Sequence, residues 1–206
     1  MSALLERAVA EQQLHRALAR ARGGVGQLVL VTGEAGIGKT ALVSSFLEHA
    51  AGSPTVLRGA CDPVTTPRPL GPLIDAARSV DRELADGLLS RRSRAEIFAD
   101  ALALLDRDDT TVFVLEDLHW ADHPSLELLH FLGRHLDGKK LGVLATLRTG
   151  ERGDVAREAE DLTRSLRDQG VGGVVELSPL SPEEVEELLE KAFRIPDPAR
   201  RRFASR

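Results

Sequence analysis

Apolar residues in this chain fall into two rhythms. Short unbroken runs occur at 27–32 (QLVLVT), 111–116 (TVFVLE) and 141–146 (LGVLAT). Each is bounded by turn or polar residues and is too short for a helix, so each predicts a strand buried on both faces. TVLRGA (55–60) and GVVEL (173–177) are candidates of the same kind. Elsewhere the apolar positions recur at helical spacing. Residues 2–21, rich in Ala, Leu, Glu and Arg, predict a helix ended by Gly23 and Gly24. Further helices are predicted over 39–50, 94–106 and 124–136, the last opened by Pro124 with Asp122 as its cap. One or two short helices are expected in 72–89, and an exposed one in the charged stretch 151–169. SPEEVEELLEKAF (181–193) has Ser at the cap, Pro in the first turn and early Glu residues, and reads as a helix.

CDPVTTPRPLGP (61–72) carries four prolines and is a loop. The tail RIPDPARRRFASR has no core pattern, and its Arg194, Arg200, Arg201, Arg202 and Arg206 read as a solvated terminus. Five strands alternating with helices predict an α/β fold, a parallel sheet covered on both faces. The expected division is a leading helix (1–24), a core (25–180) and a closing helix with a basic tail (181–206).

Composition narrows the class. Of 206 residues, 42% are hydrophobic and 29% charged, which fits a globular domain. The net charge of −5 argues against coating nucleic acid phosphates, so no direct nucleic acid binding is expected. The single cysteine, Cys61, cannot form an internal disulfide framework, and a reducing, cytoplasmic setting is the expectation. The first residues carry Glu6 and lack the apolar core of a signal peptide, and no apolar run approaches the roughly 20 residues of a membrane span.

Candidate chemistry sits where the first strand ends. Gly33-Glu34-Ala35-Gly36-Ile37-Gly38-Lys39-Thr40 fits G-x-x-x-x-G-K-[ST] at every fixed position. Glycines let backbone N–H groups wrap closely around a phosphate chain, and the following helix, beginning Lys39-Thr40-Ala41, points its N-terminus at the anion. Lys39 would place an ammonium against the β and γ phosphates, and the Thr40 hydroxyl is a ligand type for Mg2+. A strand before and a helix after are the context the motif requires.

A phosphate loop needs an acid at the end of a neighbouring strand. TVFVLED supplies Glu116 and Asp117 at a carboxyl end, where crevices form in parallel sheets. The first acid would hold Mg2+ through water; the second could orient or deprotonate an attacking water. The metal acid is usually Asp. Either the longer Glu116 reaches Mg2+ through an altered water arrangement, or the two acids divide the roles differently. His119 and His123 lie too near a turn, and without an evident third ligand, to make a zinc site. Trp120 reads as a packing residue, His130 and His135 as helix-surface residues, and Arg68 as a solvated loop residue.

The blocks LLERAVAEQQL, VTGEAGIGKTALV, CDPVTTPRPLGPL, VLEDLHWADHPSLELLHFL, LATLR and VVELSPLSPEEVEELL occur in an order that resembles one family. This is the nucleotide-binding domain of signal-transduction ATPases with numerous domains, and in particular the ATP-binding part of large LuxR-type transcriptional regulators. The resemblance covers about residues 4–193, and the LEDLHWAD block is more specific than the phosphate loop. It implies an ASCE-type P-loop NTPase sheet, ATP or ADP with Mg2+, and use as a regulatory switch with slow hydrolysis. It implies that Lys39 and Thr40 are the loop pair, and Glu116 and Asp117 the second motif. It places Arg148 where the family carries a fourth-strand sensor near the γ-phosphate, a solvated strand-end Arg being the other reading. It aligns Leu5, Glu6 and Arg7 with an element near the adenine, and residues 181–206 with the start of a helical lid.

Members of that family continue into a lid with a Gly-Asn-Pro type motif, repeats and a helix-turn-helix, whereas this chain has no Asn. The expectation is therefore a nucleotide-binding core standing alone, a fragment or a truncated remnant, without transcription factor activity of its own. A GTPase base reader of the Asn-Lys-x-Asp kind is excluded by the missing Asn. A kinase's Arg-rich lid and a transporter's second glycine-rich signature are not evident. Nucleotide is the expected partner; a protein partner or self-association stays open.

Overall fold

The computed structural model describes residues 7–63, 68–80, 85–87, 93–107, 109–150, 157–158, 161–162, 164–165, 172–179 and 185. The expected helix over 181–193 apart from Val185, the basic tail and the Leu5-Glu6 pair lie outside these residues, as does most of 151–169.

The strands are β1 (Gln27–Gly33), β2 (Thr55–Ala60), β3 (Thr111–Glu116), β4 (Leu141–Arg148) and β5 (Gly172–Glu176), and the helices α1 (Ala8–Arg22), α2 (Lys39–Glu48), α3 (Gly71–Arg78), α4 (Arg94–Leu105) and α5 (His123–Arg134). All strand pairs are parallel, in the order β2-β3-β4-β1-β5. The acid-bearing strand β3 is not beside β1; β4 lies between them.

Side chains alternate across the sheet, and the two faces build two cores. Leu28 and Leu30 of β1, Phe113 and Leu115 of β3, and Val143, Ala145 and Leu147 of β4 pack under α3, α4 and α5. Val29, Val31, Val112, Val114 and Leu144 face the other way, against Leu14 and Leu18 of α1 and Leu42, Val43 and Phe46 of α2. β1 and β3 therefore read as continuous apolar runs because both of their faces are covered, while the edge strand β2 alternates buried and exposed.

Local chemistry fixes the helix ends. Ser93 caps α4 in a reciprocal capping box with Glu96. Asp122 caps α5: its Oδ1 accepts from the Ser125 N–H at 2.9 Å and from the Leu70 N–H at 3.3 Å, so one carboxylate also ties down the chain entering α3. Pro124 lies in the first turn of α5.

Candidate functional site

β1 ends at Gly33, and the chain turns through Gly36 (φ 75°) and Gly38 (φ 96°), both in the left-handed region. A Cβ at either would meet nothing within 4 Å, so glycine is required there by backbone conformation and the space beside the turn is open. α2 then starts at Lys39 with Gly38 as N-cap and no side-chain cap. The first N–H groups of that helix carry partial positive charge toward the open side.

Lys39 is buried, 8% exposed, and its Nζ donates to the carbonyls of Gly33 (2.9 Å) and Glu34 (2.7 Å). Burial, and then the positive charge of Arg148, hold its ammonium below the usual lysine range, while Asp117 pulls the other way. Arg148 ends β4 in register with Gly33, and the Gly33 carbonyl also accepts from the Thr149 N–H at 3.1 Å. On the other side, buried Arg7 donates from Nη2 to the Ile37 carbonyl at 2.7 Å, which fastens the residue before α1 to the turn.

Thr40 follows Lys39 and is exposed. Its Oγ1 donates to Glu116 Oε2 at 3.2 Å. This meeting depends on strand parity: Val112, Val114 and Glu116 share a face of β3, the face against which α2 packs. Glu116 Oε1 is also within 3.3 Å of Arg58 Nη1, from β2. Asp117, the next residue, leaves the strand in a left-handed conformation (φ 57°, ψ 48°) that a non-glycine residue adopts at some cost. Its N–H donates to Thr146 Oγ1 of β4 at 2.9 Å, and a short 3-10 turn, Leu118–Trp120, follows.

The sequence-predicted residues Gly33, Glu34, Ala35, Gly36, Ile37, Gly38, Lys39, Thr40, Ala41, Arg7, Glu116, Asp117 and Arg148 thus all lie at the carboxyl rim of β1, β3 and β4 or on the elements that meet it. Arg58 and Thr146 were not singled out from the sequence. Neither belongs to a motif, and only the β2–β3 and β3–β4 pairings bring them to the acids. Several other expectations are modified. Trp120 is 41% exposed, so it is only partly packed. His130 is half-buried rather than on the surface, and Arg68 is exposed as expected and pairs with Asp75 at 2.6 Å. His123 is the first residue of α5 and lies within 3.5 Å of Glu127 and 3.3 Å of Glu158. Cys61 is buried as a free thiol, and burial, reinforced by Asp122, Asp117 and Asp62, pushes it up to about 12.

Residues 4–146 match the family described as the AAA ATPase domain. The chain belongs to that family. Among solved structures, AAA-type folds recur. Cdc6p from Pyrobaculum aerophilum superposes with a TM-score of 0.63 at 21% identity, over 92% of this chain and 49% of that one. A Walker-type ATPase of Pyrococcus abyssi gives 0.63 at 16% identity, over 98% and 63%. A signal transduction ATPase with numerous domains from Pyrococcus horikoshii, which carries a tetratricopeptide repeat sensor, gives 0.54 at 18% identity, over 92% and 27%. These similarities speak for the P-loop NTPase fold, with its five-stranded parallel sheet and flanking helices. The chain spans about half to two-thirds of the length of the first two and about a quarter of the third. No curated protein matches the chain. No helix among the described residues is long and apolar enough to cross a membrane.

Proposed function

We propose that this chain is an ATP- and ADP-binding regulatory module, a core of the signal-transduction ATPase type with numerous domains, which hydrolyses ATP slowly with Mg2+. The order of the sequence blocks, which resembles the ATP-binding part of LuxR-type regulators, supports this reading. One observation carries the reading: Thr40 Oγ1 and Glu116 Oε2 meet at 3.2 Å across 76 residues of sequence. A glycine-rich turn alone is a turn. A turn whose hydroxyl residue touches the acid of a second strand is a site.

The donor set fits the metal. Thr40 and Glu116 offer hydroxyl and carboxylate oxygens, the hard ligands Mg2+ takes when it keeps most of its waters and binds phosphate as well. Held by Thr40 and Glu116, Mg2+ would supply positive charge against the negative charge that develops on the phosphates. The chain's own groups do the rest. The backbone from Gly33 to Gly38, with the start of α2 through Ala41, wraps the phosphates. Lys39 exchanges the carbonyls of Gly33 and Glu34 for phosphate oxygens, so a buried ammonium gains an anion. Arg7 holds the turn through Ile37 and anchors the segment assigned to the base. Asp117 orients the attacking water and takes its proton, and Arg148 reads the γ-phosphate. Glu116 in place of the commoner Asp supports slow turnover.

The test is a titration with ATP, ADP and GTP, each with Mg2+, following Trp120 fluorescence and melting temperature. ATP or ADP at about 100 times its Kd should stabilise the folded state by about 2.7 kcal/mol. Lys39→Ala, if folded, should lose that shift. A well-folded wild-type protein that responds to no nucleotide would sink the reading.

A further inference from the structure

We infer that Arg58 is a resident counter-ion that competes with Mg2+ for Glu116. The inference rests on the reading of Thr40 and Glu116 as the metal-holding pair, and it adds a residue that no phosphate-loop motif contains.

Arg58 lies on β2 in register with Val114, and Ala60 in register with Glu116. Alternation puts Arg58 on the same face of the sheet as Glu116, one diagonal step away. Both carboxylate oxygens are thereby engaged: Oε2 by the Thr40 hydroxyl at 3.2 Å, Oε1 by the Arg58 guanidinium at 3.3 Å. Glu116 is only 19% exposed, so in the metal-free protein a counter-ion spares it from being an uncompensated charge at the rim. A divalent cation entering between Thr40 and Glu116 brings two positive charges to within a few ångströms of a third. Repulsion at that range favours one cation or the other at the carboxylate, not both.

Arg58 is built to give way. Its side chain is 44% exposed, and β2 is the edge of the sheet, with no strand beyond it among the described residues. The guanidinium can swing into water at little desolvation cost on its long stem. Metal uptake therefore frees a guanidinium on the sheet edge, and metal release recaptures it. The occupancy of the site is written onto the edge strand of the sheet.

The experiment is a Mg2+ titration at fixed ATP on the wild type, Arg58→Gln and Arg58→Lys, read by calorimetry and by Trp120 fluorescence. ATP affinity in EDTA is measured alongside. An exposed ion pair of ordinary strength must be broken in the wild type, so Arg58→Gln should half-saturate at about 1.5- to fivefold lower Mg2+. Arg58→Lys should keep the wild-type midpoint. ATP affinity in EDTA should agree among the three proteins. Equal midpoints for the wild type and Arg58→Gln overturn the inference while leaving the nucleotide site intact. Weaker ATP binding by Arg58→Gln in EDTA overturns it as well, because Arg58 would then be a phosphate ligand. If Arg58→Gln fails to fold, Arg58→Met, which keeps the apolar stem, reads the same midpoint. A wild type that binds no nucleotide in either condition defeats the underlying reading along with this one.

Discussion

Lys39 and His130 are both bases held where a positive charge is disfavoured. For Lys39 the cause is burial first and Arg148 second, and an anion arriving at the turn would reverse both. For His130 there is no such remedy. Burial and the neighbouring Arg134 lower its pKa from 6.5, more than Glu158 and Asp161 restore it. Below 6.5 the unfolded chain takes up that proton before the folded one does. Stability is therefore complete above 6.5 and is lost as pH falls through 6.5 toward the depressed folded value. Urea melts at about pH 7.5 and about pH 5 should show the wild type losing more stability than His130→Gln over that interval. Equal losses would mean the imidazole is as free to ionise in the folded protein as in the unfolded one. The same residue scale shows where sequence reading ended. Lys39, Thr40, Glu116 and Asp117 were legible because motif spacing carries them. Arg58 and Thr146 were not, because what they do depends on which residue of another strand lies opposite.

Strands were read almost to the residue. The runs at 55–60 and 111–116 coincide with β2 and β3, and β1 and β4 extend one and two residues beyond the apolar runs that announced them. Those extra residues are Gly33, Leu147 and Arg148, where the ladder continues past the point at which hydrophobicity stops signalling it. Helix ends were legible where a side chain fixes them, as at Asp122, and the short helices expected over 72–89 are α3, which ends at Arg78, and a helical turn at 85–87. Glycines inside elements divide by what surrounds them. Gly59 of β2 lies under α3, and a Cβ there would come within 2.1 Å of the Pro72 carbonyl oxygen. Gly142 of β4 has room, with Val112 Cγ2 at 3.8 Å and the Thr111 carbonyl at 3.9 Å. Gly59→Ala should cost about 1–3 kcal/mol by overpacking. Gly142→Ala should gain about 0.4–1 kcal/mol by reducing the freedom of the unfolded chain and filling ordinary contact distance. Chemical denaturation of the pair tests this, and like signs for both would contradict the packing described.

At the scale of the molecule, alternation of strand and helix foretold a parallel sheet, but not its order. The rhythm of apolar residues says how many strands there are and that both faces are covered. It does not say that β4 is inserted between β1 and β3. That insertion gives the rim its width: the turn after β1, Arg148 at the end of β4 and the acids after β3 stand side by side on three adjacent strands. It also lets Thr146 of the middle strand hold the backbone of Asp117, whose left-handed conformation is less costly for Asp than for most side chains but still favours glycine. Asp117→Gly should therefore melt later than the wild type, by about 0.5–1 kcal/mol, and a melt no later than wild type would show that the carboxylate contributes more to folding than its backbone takes away. Where the gain is seen, a thermal scan of single substitutions, run with no ligand present, would pick out this position as one where the natural residue is not the most stable choice. At such a position the backbone cost is borne by the carboxylate's carrier, which is what a role for Asp117 at the rim requires.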